Sequence, residues 1–227
     1  MKKPCKALLF ILTAVTLVIS LFFAYVNINT EELKEAASVE TEMRNLSPKT
    51  VKVDGIKLYT QPDAYTCGVT TACVVVSFLN NTDLQPKYLI EKYSLARGMT
   101  TSKFGEILAK EIPNFEVTYR HGQSDLELMK AIYRQLKNGA PVPVLFGAAN
   151  PYNKPYNDFH ASVVVGIDLE KQRVDIFNVY GYKEQISVVE FLNRMSYRGT
   201  KAYPIVQRTV LKLGLMDKNS VFILSKK

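Results

Sequence analysis

The chain has 227 residues, 47% of them apolar, with 29 Lys and Arg against 21 Asp and Glu for a formal charge of +8. That apolar content builds a real core and excludes a disordered chain. Three cysteines exclude a disulfide framework, since Cys67 and Cys73 are six apart and fall on different sides of any helix; no aromatic-interleaved arginine patch marks a nucleic-acid reader, so the basic excess favours at most an anionic membrane or wall surface.

Residues 7–26, "ALLFILTAVTLVISLFFAYV", have only Thr13, Thr16 and Ser20 as polar interruptions. As a helix they span about 30 Å of hydrocarbon. The run exceeds the roughly 7 to 15 residues of a signal-peptide core, and no small-x-small pattern follows it, so an uncleaved anchor is expected over a cleaved signal. Lys2, Lys3 and Lys6 precede the run, which places residues 1–6 in the cytoplasm and the remainder outside by the positive-inside rule. Cys5 precedes the span and is given no role. Residues 27–50 carry Glu31, Glu32, Lys34, Glu35, Glu40 and Glu42 and then Ser47-Pro48. With no apolar face wide enough to pack, they read as a polar, partly helical stalk.

Residues 51–227 read as one domain without repeats. Asp54-Gly55 is a turn signal. Residues 68–79 are rich in Val and Thr, which suits a strand by propensity and a buried helix by length, and the pattern leaves both open. In "TTSKFGEILAKEI", Phe104, Ile107 and Leu108 have helical spacing behind Thr101 or Ser102 as N-cap. In "SDLELMKAIYRQLKNG", Ser124 and Glu127 form a capping box, Leu128, Met129, Ile132, Tyr133 and Leu136 a stripe, and Asn138-Gly139 a stop. "APVPVLFGA" reads as a buried strand, "HASVVVGIDLEKQRVDIFNVYG" as a hairpin, "SVVEFLNRM" as a helix capped by Ser187 and Glu190, and "SVFILSKK" as a final strand. The expected class is α+β with a mainly antiparallel sheet.

Folding the hairpin at Glu170 brings His160 beside Asn178. Asp175 is a second candidate partner for the imidazole, but three residues along a strand it faces the other way. His121, in the polar loop "YRHGQS", reads as solvated. A nucleophilic cysteine needs a lowered pKa, from a helix N-terminus or a nearby imidazolium, and the imidazole needs an amide or carboxylate to hold its tautomer. An oxyanion needs donors, and Gln61, six residues before Cys67, can direct its amide toward the Cys67 backbone N–H. Cys73 reads as core, and a zinc site of cysteines and histidines lacks paired ligand spacing. The loop "GAANPYNKPYNDF" before His160 either lines a cleft or is a plain connection.

The set Gln61–Cys67–Gly68, "LKNGAPVPVLF", "HASVVVGIDLEKQRVDIFNVYG" and "SVVEFL" resembles the papain-like peptidases that cut double-glycine leaders from bacteriocins, and more particularly their stand-alone relatives, over about residues 57–200. The resemblance implies a central helix beginning at Cys67 as nucleophile, His160 as general base, Gln61 in the oxyanion hole and Asn178 orienting the histidine. The family usually has Asp-Pro at the orienting position, where this chain has Asn178-Val179. No ATP-binding motif accompanies the domain and it is expected outside, so leader processing is a poor guess for its substrate. The expected function is a membrane-anchored extracytoplasmic cysteine peptidase or amidase acting on a peptide or amide substrate, without cofactor or metal. A non-hydrolytic peptide- or wall-binding module and an acyltransferase on the same Cys-His-Asn site are the alternatives.

Overall fold

The computed structural model describes residues 4–95, 98–152 and 156–227. Lys2, Lys3 and residues 153–155 of the loop before His160 lie outside the described residues. In chain order the elements are α1 (Pro4–Asn27), α2 (Ala37–Arg44), β1 (Thr50–Lys52), α3 (Cys67–Leu79), α4 (Pro86–Lys92), α5 (Thr101–Glu111), β2 (Phe115–Arg120), α6 (Asp125–Lys137), β3 (Val142–Ala149), β4 (Asn157–Asp168), β5 (Arg173–Asn178), β6 (Tyr182–Ser187), α7 (Val188–Met195), α8 (Ile205–Lys212) and β7 (Ser220–Lys226). The strands form one antiparallel sheet in the order β2-β7-β3-β4-β5-β6, and β1 adds to β4. This is the expected α+β class.

The sheet is packed on both faces. Val163 and Val165 of β4 join Val69, Ala72, Cys73 and Val76 of α3 in one apolar cluster. Val164, between them, joins Leu128, Met129 and Ile132 of α6 and Phe191 and Leu192 of α7 in the other. That alternation is the period-two rule of a strand covered on both sides.

Residues 68–79 are helical despite six β-branched residues, and Val69 through Ser77 are all buried. Each β-branched residue costs about 0.5 kcal/mol of helix propensity, whereas each buried valine contributes roughly 1.5 kcal/mol or more. Tertiary burial therefore outweighs local preference.

Capping follows the sequence reading at two helices: Ser124 Oγ accepts the Glu127 N–H on α6, and Ser187 Oγ accepts the Glu190 N–H on α7. On α5 the expected cap was Thr101 or Ser102, but Thr100 fills that place and accepts the Lys103 N–H. The hydroxyl three residues before a free N–H takes the cap.

Residues 27–50 depart from the expected free stalk. Val39 and Met43 are buried in the same cluster as α6. Tyr133 Oη donates to Pro48 O and Lys137 Nζ to Ser47 O, both at 2.8 Å. Asn193 brackets the backbone of Leu33, accepting its N–H at 2.7 Å and donating to its carbonyl at 3.0 Å. The stripe is short: Ala36, Val39 and Met43, at i, i+3 and i+7, are buried in the cluster, with Leu33 and Leu46 packed against it.

α1 is long and apolar enough to cross a membrane. Its flanks Phe10, Leu17 and Leu21 are exposed.

Candidate active site

Cys67 occupies the first turn of α3, behind Thr66 as N-cap. Its sulfur lies against the backbone N–H of Ala161, the residue after His160 on β4, and against the N–H groups of Gly68 and Cys67 itself. Cys67 and His160 line a common cleft of about 580 Å³ with Gly68, Phe104, Asp158 and Ala161.

His160 is buried and held on four sides. Its Nε2 is 2.9 Å from Asn178 Oδ1 and 3.2 Å from Ser162 Oγ. The Tyr180 ring stacks on the imidazole, centroids 3.9 Å apart and planes 13° from parallel, and Phe146 lies at 5.7 Å. Tyr152, from the loop before His160, meets Tyr180 edge-on, so that described part of the loop reaches over the site rather than merely connecting strands.

The hydrogen-bond network assigns the tautomer. Asn178 Oδ1 accepts the backbone N–H of Tyr180 at 3.0 Å, and Asn178 Nδ2 donates to Tyr182 Oη and to the Glu184 carboxylate. A backbone N–H can only donate and a carboxylate paired with a guanidinium accepts, so oxygen is the amide atom facing His160. Nε2 therefore carries the proton, and Nδ1 is the nitrogen with a free lone pair. Glu184 is itself held by Arg194 Nη1 at 2.8 Å, and Arg194 Nη2 meets Glu190 at 2.6 Å.

Burial pushes the His160 imidazole down to about 3, against the pull of the Asn178 bond and with the Arg194 charge adding to the depression. Burial likewise pushes the Cys67 thiol above its ordinary value; the N–H groups of Ala161 and Gly68 oppose the rise, and the Asp158 carboxylate reinforces it. The expectation of a lowered thiol pKa is thus reversed. Desolvation penalises both charged forms at once.

Gln61 is buried next to the site but turned aside. Its backbone N–H donates to Val179 O at 2.7 Å, its Nε2 to Asp63 O at 2.6 Å, and its Oε1 is buried without a partner. It is not among the residues lining the cleft. Asp175 accepts from Gln185 on β6 and makes no contact with His160. His121 is half exposed and pairs with Asp217 at 3.2 Å. Cys73 is buried, its Sγ facing Leu84 O at 3.0 Å.

Sequence reasoning did not find Asp158, Ser162, Tyr180 and Glu184. Asp158 and Ser162 stand two residues either side of His160, and strand alternation alone assigns them to its face. Asp158 is locked by Asn150 Nδ2 at 2.7 Å, by the Phe159 N–H at 2.9 Å and by Gln207 of α8. Glu184 carries no such local signal, because it reaches Asn178 across the β5–β6 pair.

Residues 53–205 match the sequence profile described as the Peptidase_C39 like family. No curated protein matches the chain. Among solved structures, the chain is similar to a double glycine motif protease from an AMS/PCAT transporter in complex with the leader peptide, at 12% identity over 78% of this chain and 99% of that one, TM-score 0.48. It is similar to the peptidase domain of Streptococcus ComA, a bi-functional ABC transporter, at 17% identity over 76% and 99%, TM-score 0.48. It is also similar to xylellain, a cysteine protease from Xylella fastidiosa, at 12% identity over 87% and 92%, TM-score 0.45.

Proposed function

The chain belongs to the Peptidase_C39 like family, and from that premise we propose that it is a membrane-anchored cysteine peptidase or amidase acting on peptides outside the membrane. The observation that carries the chemistry is that Cys67, at the start of α3, and His160, its tautomer set by Asn178, line one cleft.

In this reading His160 Nδ1 takes the thiol proton as Cys67 Sγ attacks the amide carbonyl, forming the S–C bond. The Cys67 backbone N–H at the start of α3 donates to the oxyanion, joined by Gln61 Nε2 once the side chain turns from Asp63 O. Collapse breaks the C–N bond, and the imidazolium returns its proton to the leaving amine. Water then attacks the thioester, His160 taking its proton and returning it to sulfur. Asn178 Oδ1 accepts the Nε2–H throughout, so the ring keeps one tautomer and one orientation.

The anchor is α1, with residues 1–6 in the cytoplasm and the domain outside. Its apolar length and the lysines ahead of it support this topology.

The test treats the full chain, reconstituted in lipid vesicles, with a peptidyl vinyl sulfone and locates the adduct by mass spectrometry. A covalent adduct on Cys67, absent from Cys73 and lost in His160→Ala, is the expected result. No adduct, or equal labelling in the variant, overturns the reading and leaves a binding module on the same fold. Acyl transfer separates from hydrolysis by whether an added amine is captured in the product.

A further inference from the structure

α8 and the four residues after it touch two things at once: the end of α1 and the cleft. Tyr25 Oη donates to Lys212 O at 3.2 Å, and Lys212 Nζ lies 5.5 Å from the centre of the Tyr25 ring. Arg208 Nη1 donates to Asn27 Oδ1 at 2.7 Å. On the inner side Leu211 is buried, while Gln207 and Met216 line the cleft with Cys67 and His160. The opposite side is apolar and uncovered: Val206 is 71% exposed, Leu213 53% and Leu215 70%. Val206, Val210 and Leu213 follow each other at i, i+4 and i+7, one stripe of a helix whose last residue, Leu213, keeps helical backbone angles.

Depth along α1 tells what that stripe meets. A span of about 20 residues fills the hydrocarbon layer, and Tyr is a residue of the membrane–water boundary. Tyr25 is therefore at the outer boundary if α1 is the anchor. Asn27 lies two residues further out, at about 1.5 Å rise per residue. Since Arg208 is tied to Asn27 and Lys212 to Tyr25, α8 descends toward the bilayer, and Leu213 and Leu215 follow at its lower end. Residues 199–216 carry Lys201, Arg208 and Lys212 and no acidic residue, which matches an anionic lipid surface.

We propose that residues 205–216 form a foot that enters the headgroup region of the bilayer holding α1, and so hold the mouth of the catalytic cleft at the lipid surface. This rests on the anchor reading of α1. Neighbouring residues divide the work: Val206 and Leu215 face lipid, Gln207 and Met216 face the cleft. A peptide lying on the membrane, or leaving it, thus reaches Cys67 without crossing bulk water, which gives the substrate class as membrane-proximal peptides.

The chain contains no tryptophan, so single replacements report cleanly. Full-length Leu215→Trp, Leu17→Trp and Glu170→Trp are each reconstituted in vesicles of phosphatidylcholine and phosphatidylglycerol, with and without brominated acyl chains. Leu17 is inside α1 and reports the anchor; Glu170 is exposed in the turn between β4 and β5 and serves as the unburied control. The proposal expects bromine-dependent loss of emission at Leu17→Trp and at Leu215→Trp, the latter strongest with bromines near the headgroups, and none at Glu170→Trp. Loss at position 17 without loss at 215 overturns the foot and keeps the anchor. A blue-shifted but unquenched signal at 215 also overturns it, since protein rather than lipid then covers the residue. No loss at either position overturns the foot together with the anchor.

Discussion

Asn178 is held between His160 and Glu184, its amide oxygen toward the imidazole at 2.9 Å and its amide nitrogen toward the carboxylate. The carboxylate does not touch His160, yet it helps fix which nitrogen bears the proton. Glu184→Leu removes the acceptor while leaving the Tyr180 N–H to hold the oxygen, so the amide is loosened rather than reversed. The expected result is a fall of about 10-fold in kcat with KM little changed, within the range seen when an orienting partner is lost. A merely structural role would leave the tautomer alone; here 15N shifts of His160 are expected to show a mixed tautomer population.

Asn178→Asp inserts a carboxylate beside the one already present at Glu184. Two carboxylates about 4 Å apart repel by roughly 4 kcal/mol at an effective dielectric near 20. The single variant is therefore expected to lose stability, and the double variant Asn178→Asp/Glu184→Gln to recover it, because the Gln amide donates to the new carboxylate. Denaturation of the four proteins as a double-mutant cycle measures this coupling, and additive losses would refute it.

Protonation of His160 links the fold to pH. The unfolded chain takes up a proton near the ordinary imidazole value of 6.5, whereas the folded chain withholds it until about 3. The unfolded state then binds more protons within that window, so stability rises with pH across it and is lost as pH falls toward 3. The slope contributed by this one group is at most about 1.4 kcal/mol per pH unit. Urea midpoints between pH 4 and pH 7 are expected to follow it, and His160→Gln to flatten it.

Cys67 is raised by burial, so a thiolate is scarce in the resting protein at neutral pH. Iodoacetamide is expected to label Cys67 slowly at pH 6, with the rate climbing only past the free-thiol value of about 8.5. Fast labelling at pH 6 would instead indicate a thiolate–imidazolium pair at rest.

Met43 is buried between α2 and α6. Met43→Ala is expected to cost about 2 to 4 kcal/mol, as for other large-to-small core changes. For the same reason a fragment beginning at residue 48 is expected to unfold at lower urea than one beginning at residue 28, although both contain the cleft.

What the chain states locally, its residues determine by themselves. The α6 capping box, the β4–β5 hairpin and the apolar length of α1 are each set by neighbours a few residues apart, where spacing and turn chemistry suffice. The turn brings β4 and β5 together, but a register shift between Val164 and Gly166 decides the face: it pairs Val163 with Phe177, so Asn178 shares the face of His160, whereas the register of the turn, Asp168 with Arg173, would set Asn178 opposite Val163. Tertiary structure decided the rest. It made residues 68–79 a helix, because burial outweighs β propensity, and it folded residues 27–50 onto α6, because the short stripe of Ala36, Val39 and Met43 gains a partner only once the cluster of Leu128, Met129 and Ile132 is assembled. It also set the electrostatics of the site: burial pushes the His160 imidazole down and the Cys67 thiol up, against the backbone N–H groups that favour a thiolate.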